Sequence, residues 1–376
     1  MLASAICGRV GTWPRQLSSS SLELVIGRIK YHGIAGLLAD CRGEMATWPV
    51  GITQRVRELA IAQAMWELRH QEVLSKLLTC LAESDIAALL LKGTAVAYDL
   101  YPSPSSRSRG DTDLLIAPAA LVETRAILRT LGFSRDPLFD EAVADIYSQE
   151  IWSLSSVGSF EHHIDLHWKL INSTALQHVL SYAECLANPL TLPRLCPEAR
   201  TMDRVRSLIH TCVHRAMHFT APYFTDGVAF YGGDRLIWAK DIDLLANALS
   251  EAEWRSFCAL AREKGVSAVC LEGLNISERF LCTDIPDFVR EHLSGEPHAP
   301  ASEYLLRSRR GARAWRNLRA IQGLRRKFAY ARARSLPSAA FMRRKYPDMA
   351  KIPLPILYAR RVLELFRPLP GRSDAR

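Results

Sequence analysis

Two aspartates set two residues apart, one helix-length after a Lys-Gly turn, restrict the fold of this chain more than any other feature. Residues 89–94 read Leu-Leu-Leu-Lys-Gly-Thr, and residues 107–116 read Arg-Ser-Arg-Gly-Asp-Thr-Asp-Leu-Leu-Ile. Both apolar runs suit buried strands, and residues i and i+2 of a strand share a face. Asp111 and Asp113 therefore point the same way. Two carboxylates that close repel, and a hard divalent cation with oxygen ligands relieves the repulsion. Gly93 marks the turn of the first strand into a helix, whose N-terminus can receive a phosphate. The 18 residues from Gly93 to Asp111 leave room for that helix and a return loop.

A third carboxylate follows. Residues 161–168 read Glu-His-His-Ile-Asp-Leu-His-Trp. Alternation puts His163, Asp165 and His167 on one face, and Ile164, Leu166 and Trp168 on the other. Three polar residues in series on one face of a central strand point to a site.

A Gly turn followed by Asp-x-Asp resembles the nucleotidyltransferase superfamily of DNA polymerase β. Leu91-Lys92-Gly93, Tyr101-Pro102, Arg107, Asp111-Thr112-Asp113-Leu114-Leu115 and Ile164-Asp165-Leu166-His167-Trp168 look more closely like the uncharacterised nucleotidyltransferase family, in which Lys-Gly replaces the usual Gly pair. Tyr31-His32-Gly33-Ile34 resembles another short motif of that family. The resemblance covers roughly residues 21–366, with the specific motifs confined to 91–168. It implies an α+β fold: a small mixed sheet of the nucleotidyltransferase type flanked by helices, followed by an α-helical domain. It further implies Mg²⁺-dependent transfer, with Mn²⁺ as the substitute, of a nucleoside monophosphate from a nucleoside triphosphate to an acceptor. A small molecule or protein is preferred over RNA as that acceptor. Asp111, Asp113 and Asp165 would be the catalytic, metal-holding carboxylates. Lys92, Gly93, Thr94 and Arg107 would contact the nucleotide phosphates.

Composition limits the remaining choices. Apolar residues make up 48% of 376, enough for a substantial core, and no run nears the roughly 18 apolar residues of a membrane span. Nine cysteines, scattered and never in Cys-x-x-Cys pairs, suit buried thiols in a reducing cytoplasm. The net charge of +9 is unevenly placed: residues 301–376 hold 20 Lys or Arg against 4 acids, leaving the first 300 residues at −7.

Along the chain, residues 1–20 carry Arg9, Arg15, no acid and a Ser run. Targeting peptides share that flavour, but the short, interrupted apolar segment points to a flexible terminus. Residues 21–83 are expected to form helices packing on the core, with Ser20 or Ser21 capping the first. The second, over 53–83, would bury a stripe including Leu59, Met65, Trp66, Leu68, Leu77 and Leu78. Residues 84–172 would be the catalytic core, with a mobile loop at 103–110, a helix over 118–131 and a hairpin turning at Val157-Gly158. Residues 173–300 read as an α-helical domain. Within it, His210, His214 and His218 form one stripe, for which helix packing is preferred over a metal. Gly232-Gly233 followed by Asp241-Ile242-Asp243 imitates the nucleotide motif but lacks room for an intervening helix, so these acids read as structural or as contacts made by the second domain. Residues 301–376 form a basic helical segment, with 14 basic residues and no acid from 307 to 345.

Two other functions fit the residues: a nucleotide-binding or regulatory protein of the same fold with reduced turnover, and a nucleic-acid-binding module built on the basic helix. Because a repelling pair is relieved, Asp111→Asn or Asp113→Asn should abolish turnover and leave the melting temperature near or above that of the unaltered chain.

Overall fold

The computed structural model describes residues 2–9, 13, 17–41, 43–136, 146, 148–156, 160–219, 223–225, 228–230, 233–295, 298–346, 349 and 352–364. The Val157-Gly158 turn and Gly232 lie outside the described residues.

The chain is α+β, as its motifs imply. It begins with α1 (Leu2–Ile6), α2 (Ser19–His32), α3 (Ala35–Asp40) and the long α4 (Val50–Glu83). The sheet region follows with β1 (Leu89–Leu91), α5 (Lys92–Asp99), β2 (Asp111–Leu115), α6 (Leu121–Thr130), β3 (Ser134–Arg135), β4 (Gln149–Ser156) and β5 (Phe160–His167). After α7 (Tyr182–Leu186), two short strands, β6 (Leu190–Thr191) and β7 (Arg200–Thr201), return to the sheet. Its seven strands lie in the order β3-β4-β5-β2-β1-β7-β6. β2 runs antiparallel to β1 and parallel to β5, so the sheet is mixed.

Among the described residues the remaining elements are helices apart from one hairpin, β8 (Tyr223–Thr225) and β9 (Val228–Phe230). α8 (Arg204–His218) precedes it. α9 (Leu236–Asn247), α10 (Glu251–Glu263), α11 (Ser267–Leu281), α12 (Asp287–Ser294) and α13 (Pro300–Leu306) follow. Gly265 ends α10 in the left-handed conformation its position requires, at φ 65°. The basic segment forms α14 (Arg310–Ala320), α15 (Leu324–Ser335) and α16 (Ala339–Lys345), and α17 (Leu354–Glu364) is the last helix among the described residues. It is therefore not one continuous basic helix: Gly323, at φ 84°, and Pro337 interrupt it.

The sheet buries both faces. Leu90, Leu114, Ile164 and Leu166 pack with Leu74, Leu77 and Leu81 of α4. On the opposite face Leu89, Leu91 and Leu115 join a cluster formed with α2, α8, α9 and α11, which runs without a break across residue 172. No described helix is long and apolar enough to cross a membrane.

Several local expectations are corrected. Ser18, not Ser20 or Ser21, caps α2, accepting from the Ser21 amide at 3.2 Å. At the expected loose terminus, α1 buries Ala5 completely. The buried stripe of α4 runs through Ile52, Val56, Glu67, His70, Leu74 and Leu81, while Met65 and Leu68 are exposed. The loop before β2 is pinned rather than mobile. Ser106 donates to Asp40 at 2.5 Å, and its backbone lies so close to Gly36 that a Cβ there would meet it at 2.7 Å.

Candidate active site

β2 and β5 bring the predicted carboxylates together. Their register sets Asp111 beside His163, Asp113 beside Asp165, and Leu115 beside His167. Because residues i and i+2 share a face, Asp111, Asp113, His163, Asp165 and His167 all lie on the side of the sheet that looks toward α8. β1 ends where its Leu91 pairs with Asp113, which delivers Lys92 directly above that carboxylate.

Asp113 is the centre of the arrangement. Its Oδ1 accepts from Lys92 Nζ at 2.5 Å and lies 2.9 Å from His167 Nε2. Both contacts fall on one oxygen, leaving Oδ2 for other partners. Burial pushes the Asp113 carboxyl up, but Lys92 and His167 reverse this and hold it far below the usual carboxylate range. Burial works against the Lys92 ammonium too, yet Asp113, Asp165 and Asp111 keep its pKa above the ordinary lysine value. Asp165 has no such cation of its own. Burial, then Asp113 and Asp111, push it up to about 8. Asp111 keeps an exposed edge, while its packed surroundings and Asp113 raise its carboxyl as well.

A ligand atom from each of Asp113, Asp165 and His167 lies within 4.8 Å of the others. Two carboxylates and an imidazole fit a divalent cation, and the buried His167 Nδ1 has no hydrogen-bond partner among the described residues. Asp111 stands outside that compact group, one register step nearer solvent.

The turn into α5 is built differently from its sequence reading. Lys92, not Gly93, takes the left-handed conformation, with φ 50°. A non-glycine residue held there costs of order 1–3 kcal/mol. Gly93 is needed for space: a Cβ would stand 2.8 Å from the Arg107 guanidinium. Thr94 turns away from the turn, its hydroxyl buried and 2.9 Å from that of Thr112 on the opposite face of the sheet. Its backbone amide is thus all it can offer at the turn. Arg107 is no solvated loop charge. It donates to Asp241 of α9 through Nε at 3.1 Å and a terminal nitrogen at 2.7 Å, and to Ser108 O at 2.8 Å.

Residues 18–281 match the family described as uncharacterised nucleotidyltransferase. The chain belongs to this family. No curated protein matches it. The match begins near the first residue of the resemblance and ends well before residue 366, leaving the basic segment outside.

Around the carboxylates, this member of the uncharacterised nucleotidyltransferases carries supports that the motifs did not reveal. Asp241, from the imitation motif, accepts from Arg107 and from the Tyr101 hydroxyl at 2.8 Å. From α9 it reaches across to the turn and locks it from beneath. Asp243 is likewise engaged, by Lys240, Asn247 and Thr283. Glu67 of α4 holds Arg109 at 2.6 Å and accepts from Tyr98 at 2.6 Å. His70 bridges Thr112 and His162 behind the sheet, at 2.7 and 3.1 Å. Glu67 and His70 fall in phase with Leu74, Leu77 and Leu81, and polar residues inside an apolar stripe are the signal by which a sequence could reveal them.

The histidine stripe of α8 also borders the site. His214 packs against His218, ring centroids 4.4 Å apart, and its edge meets Trp238. Burial, with the Lys92 charge adding to it, depresses all three imidazoles, His210 to about 3 and His218 to about 4. They form a neutral wall beside the charged carboxylates.

Proposed function

We propose that this chain transfers a nucleoside monophosphate from a nucleoside triphosphate to an acceptor hydroxyl. The observation that carries the reading is Asp113 set opposite Asp165 on parallel strands, beside a strained Lys92 turn that opens a helix. Asp113 and Asp165, grouped with His167, would hold Mg²⁺, or Mn²⁺ in its place, with Asp111 one register step away completing the set of carboxylates. The cation would offset charge on the phosphates. Lys92, at the mouth of the turn, faces the triphosphate, and the first amides of α5, those of Gly93 and Thr94, receive its oxygens. Arg107 sits directly under Gly93. Its tie to Asp241 makes it a support of that turn, and a direct phosphate contact would require it to release that carboxylate. The acceptor oxygen forms its bond to the α-phosphorus as the bond to the bridging oxygen breaks, and pyrophosphate leaves. Asp165, set opposite Asp113 and ionised when the cation is bound, would help take the acceptor proton. The nine free thiols fit a reducing compartment such as the cytoplasm.

The test is mass spectrometry of candidate acceptors after incubation with mixed nucleoside triphosphates and Mg²⁺, together with pyrophosphate release. An acceptor gaining one nucleoside monophosphate, lost in Asp165→Asn, is expected.

One observation favours a second reading. Lys92 is already ion-paired to Asp113, and an ammonium standing at a cation site suits a protein that binds nucleotide without turnover. Tight Mg²⁺-dependent nucleotide binding with no pyrophosphate release across a broad acceptor screen would select that reading.

A further inference from the structure

Half of the exposed large apolar side chains among the described residues fall between residues 315 and 363, although the first 300 residues supply most of the chain. α15 shows how they are organised. Tyr330 and Ala333 are buried and pack with Ile321 and Ile146. At 3.6 residues per turn, Leu324 and Phe328 lie on the opposite side of the helix. They are 85% and 73% exposed. The same geometry puts Arg325 and Arg332 along one flank of this stripe, and Lys327 and Arg334 along the other, each roughly 60–100° from its midline. None of these four cations forms an ion pair with a described residue, and no acid occurs from 307 to 345.

An apolar stripe turned to solvent between two rows of cations matches one kind of surface in particular. Aliphatic and aromatic side chains enter the headgroup boundary of a bilayer, while Lys and Arg lay their stems alongside and reach the lipid phosphates. A single-stranded nucleic acid also attracts cations, but it stacks on series of aromatic rings. α15 offers one exposed ring beside Leu324, with Leu336 exposed just beyond the helix. Trp315, 60% exposed on α14, is of the type enriched at bilayer interfaces.

We propose that α15, with its neighbour α14, docks this protein on the surface of an anionic phospholipid bilayer. Leu324 and Phe328 enter the headgroup boundary, and Arg325, Lys327, Arg332 and Arg334 engage lipid phosphates. The proposal does not depend on the chemistry of the carboxylate site.

The test uses the full chain, floated with phosphatidylcholine vesicles made with or without phosphatidylserine, and with a single-stranded RNA oligonucleotide as competitor. Binding at least about tenfold tighter to the anionic vesicles is expected, since four cations act at the surface. Leu324→Gln/Phe328→Gln should lose that binding with an unchanged melting temperature, because both side chains are already in water. Arg325→Gln/Arg332→Gln should narrow the gap between the two vesicle types. Absence of binding to anionic vesicles, equal binding to both kinds, or binding undiminished in the Leu324/Phe328 variant would each overturn the proposal. RNA that displaces the vesicles and binds the same variant undiminished would assign the surface to nucleic acid instead.

Discussion

Lys92 and Asp113 illustrate how one buried pair changes what a substitution does. Asp113→Asn strands a buried ammonium, and breaking such a pair from one side costs about 3–5 kcal/mol. A lowered melting temperature is therefore expected, opposite to the relief expected from charge repulsion alone. That relief belongs to Asp165 and Asp111, whose carboxyls are pushed up. For Asp165, held near 8 against an ordinary 3.8, the folded state retains a proton that the unfolded chain releases. Its contribution to stability is full below about pH 4 and is lost as pH rises through 8. Thermal unfolding in the presence of chelator should show that decline, and Asp165→Asn should flatten it while removing turnover. Gly93→Ala addresses the turn. Its methyl would meet a guanidinium that Asp241 prevents from moving, so a loss of about 1–3 kcal/mol and of nucleotide binding is expected in unfolding and binding titrations.

At the scale of elements, α8 makes the sharpest case. His210 is buried, and its pKa of about 3 means that it folds uncharged. The unfolded chain takes up the proton first, so stability is complete above about pH 6.5 and falls as pH drops toward 3. His210→Gln should flatten the acid limb of a plot of melting temperature against pH, by an amount on the order of a few kcal/mol at its lower end. The same helix shows what a sequence yields and withholds. Alternation placed Asp165 and His167 on one face of β5, and spacing placed Asp111 and Asp113 on β2, because strand periodicity is local information. That the α8 stripe would face those strands depends on how a helix packs across a sheet, which no local period encodes. Glu67 and His70 escape notice when the stripe of α4 is drawn through Met65 and Leu68, which are exposed, instead of through the register of Leu74, Leu77 and Leu81. The tie of Arg107 to Asp241 is invisible to local pattern because the two lie 134 residues apart in the chain.

For the molecule as a whole, Asn317 is the joint between the basic segment and the sheet region. Its side-chain oxygen accepts from Ser173 Oγ at 2.7 Å and the Ala175 amide at 3.1 Å, while its nitrogen donates to the Tyr304 hydroxyl. Asn317→Ala takes the acceptor from the Ala175 amide and one partner each from Ser173 and Tyr304, which keep only their mutual bond at 3.0 Å. A loss of about 1–3 kcal/mol is expected, with earlier proteolysis of the segment after residue 310 at temperatures below global unfolding. The tie between Arg107 and Asp241 has a different reach. It fastens the floor of the Lys92 turn to a helix that shares its apolar core with the sheet. Opening the floor beneath Lys92 therefore requires a buried ion pair to break, so the turn and α9 shift together or not at all.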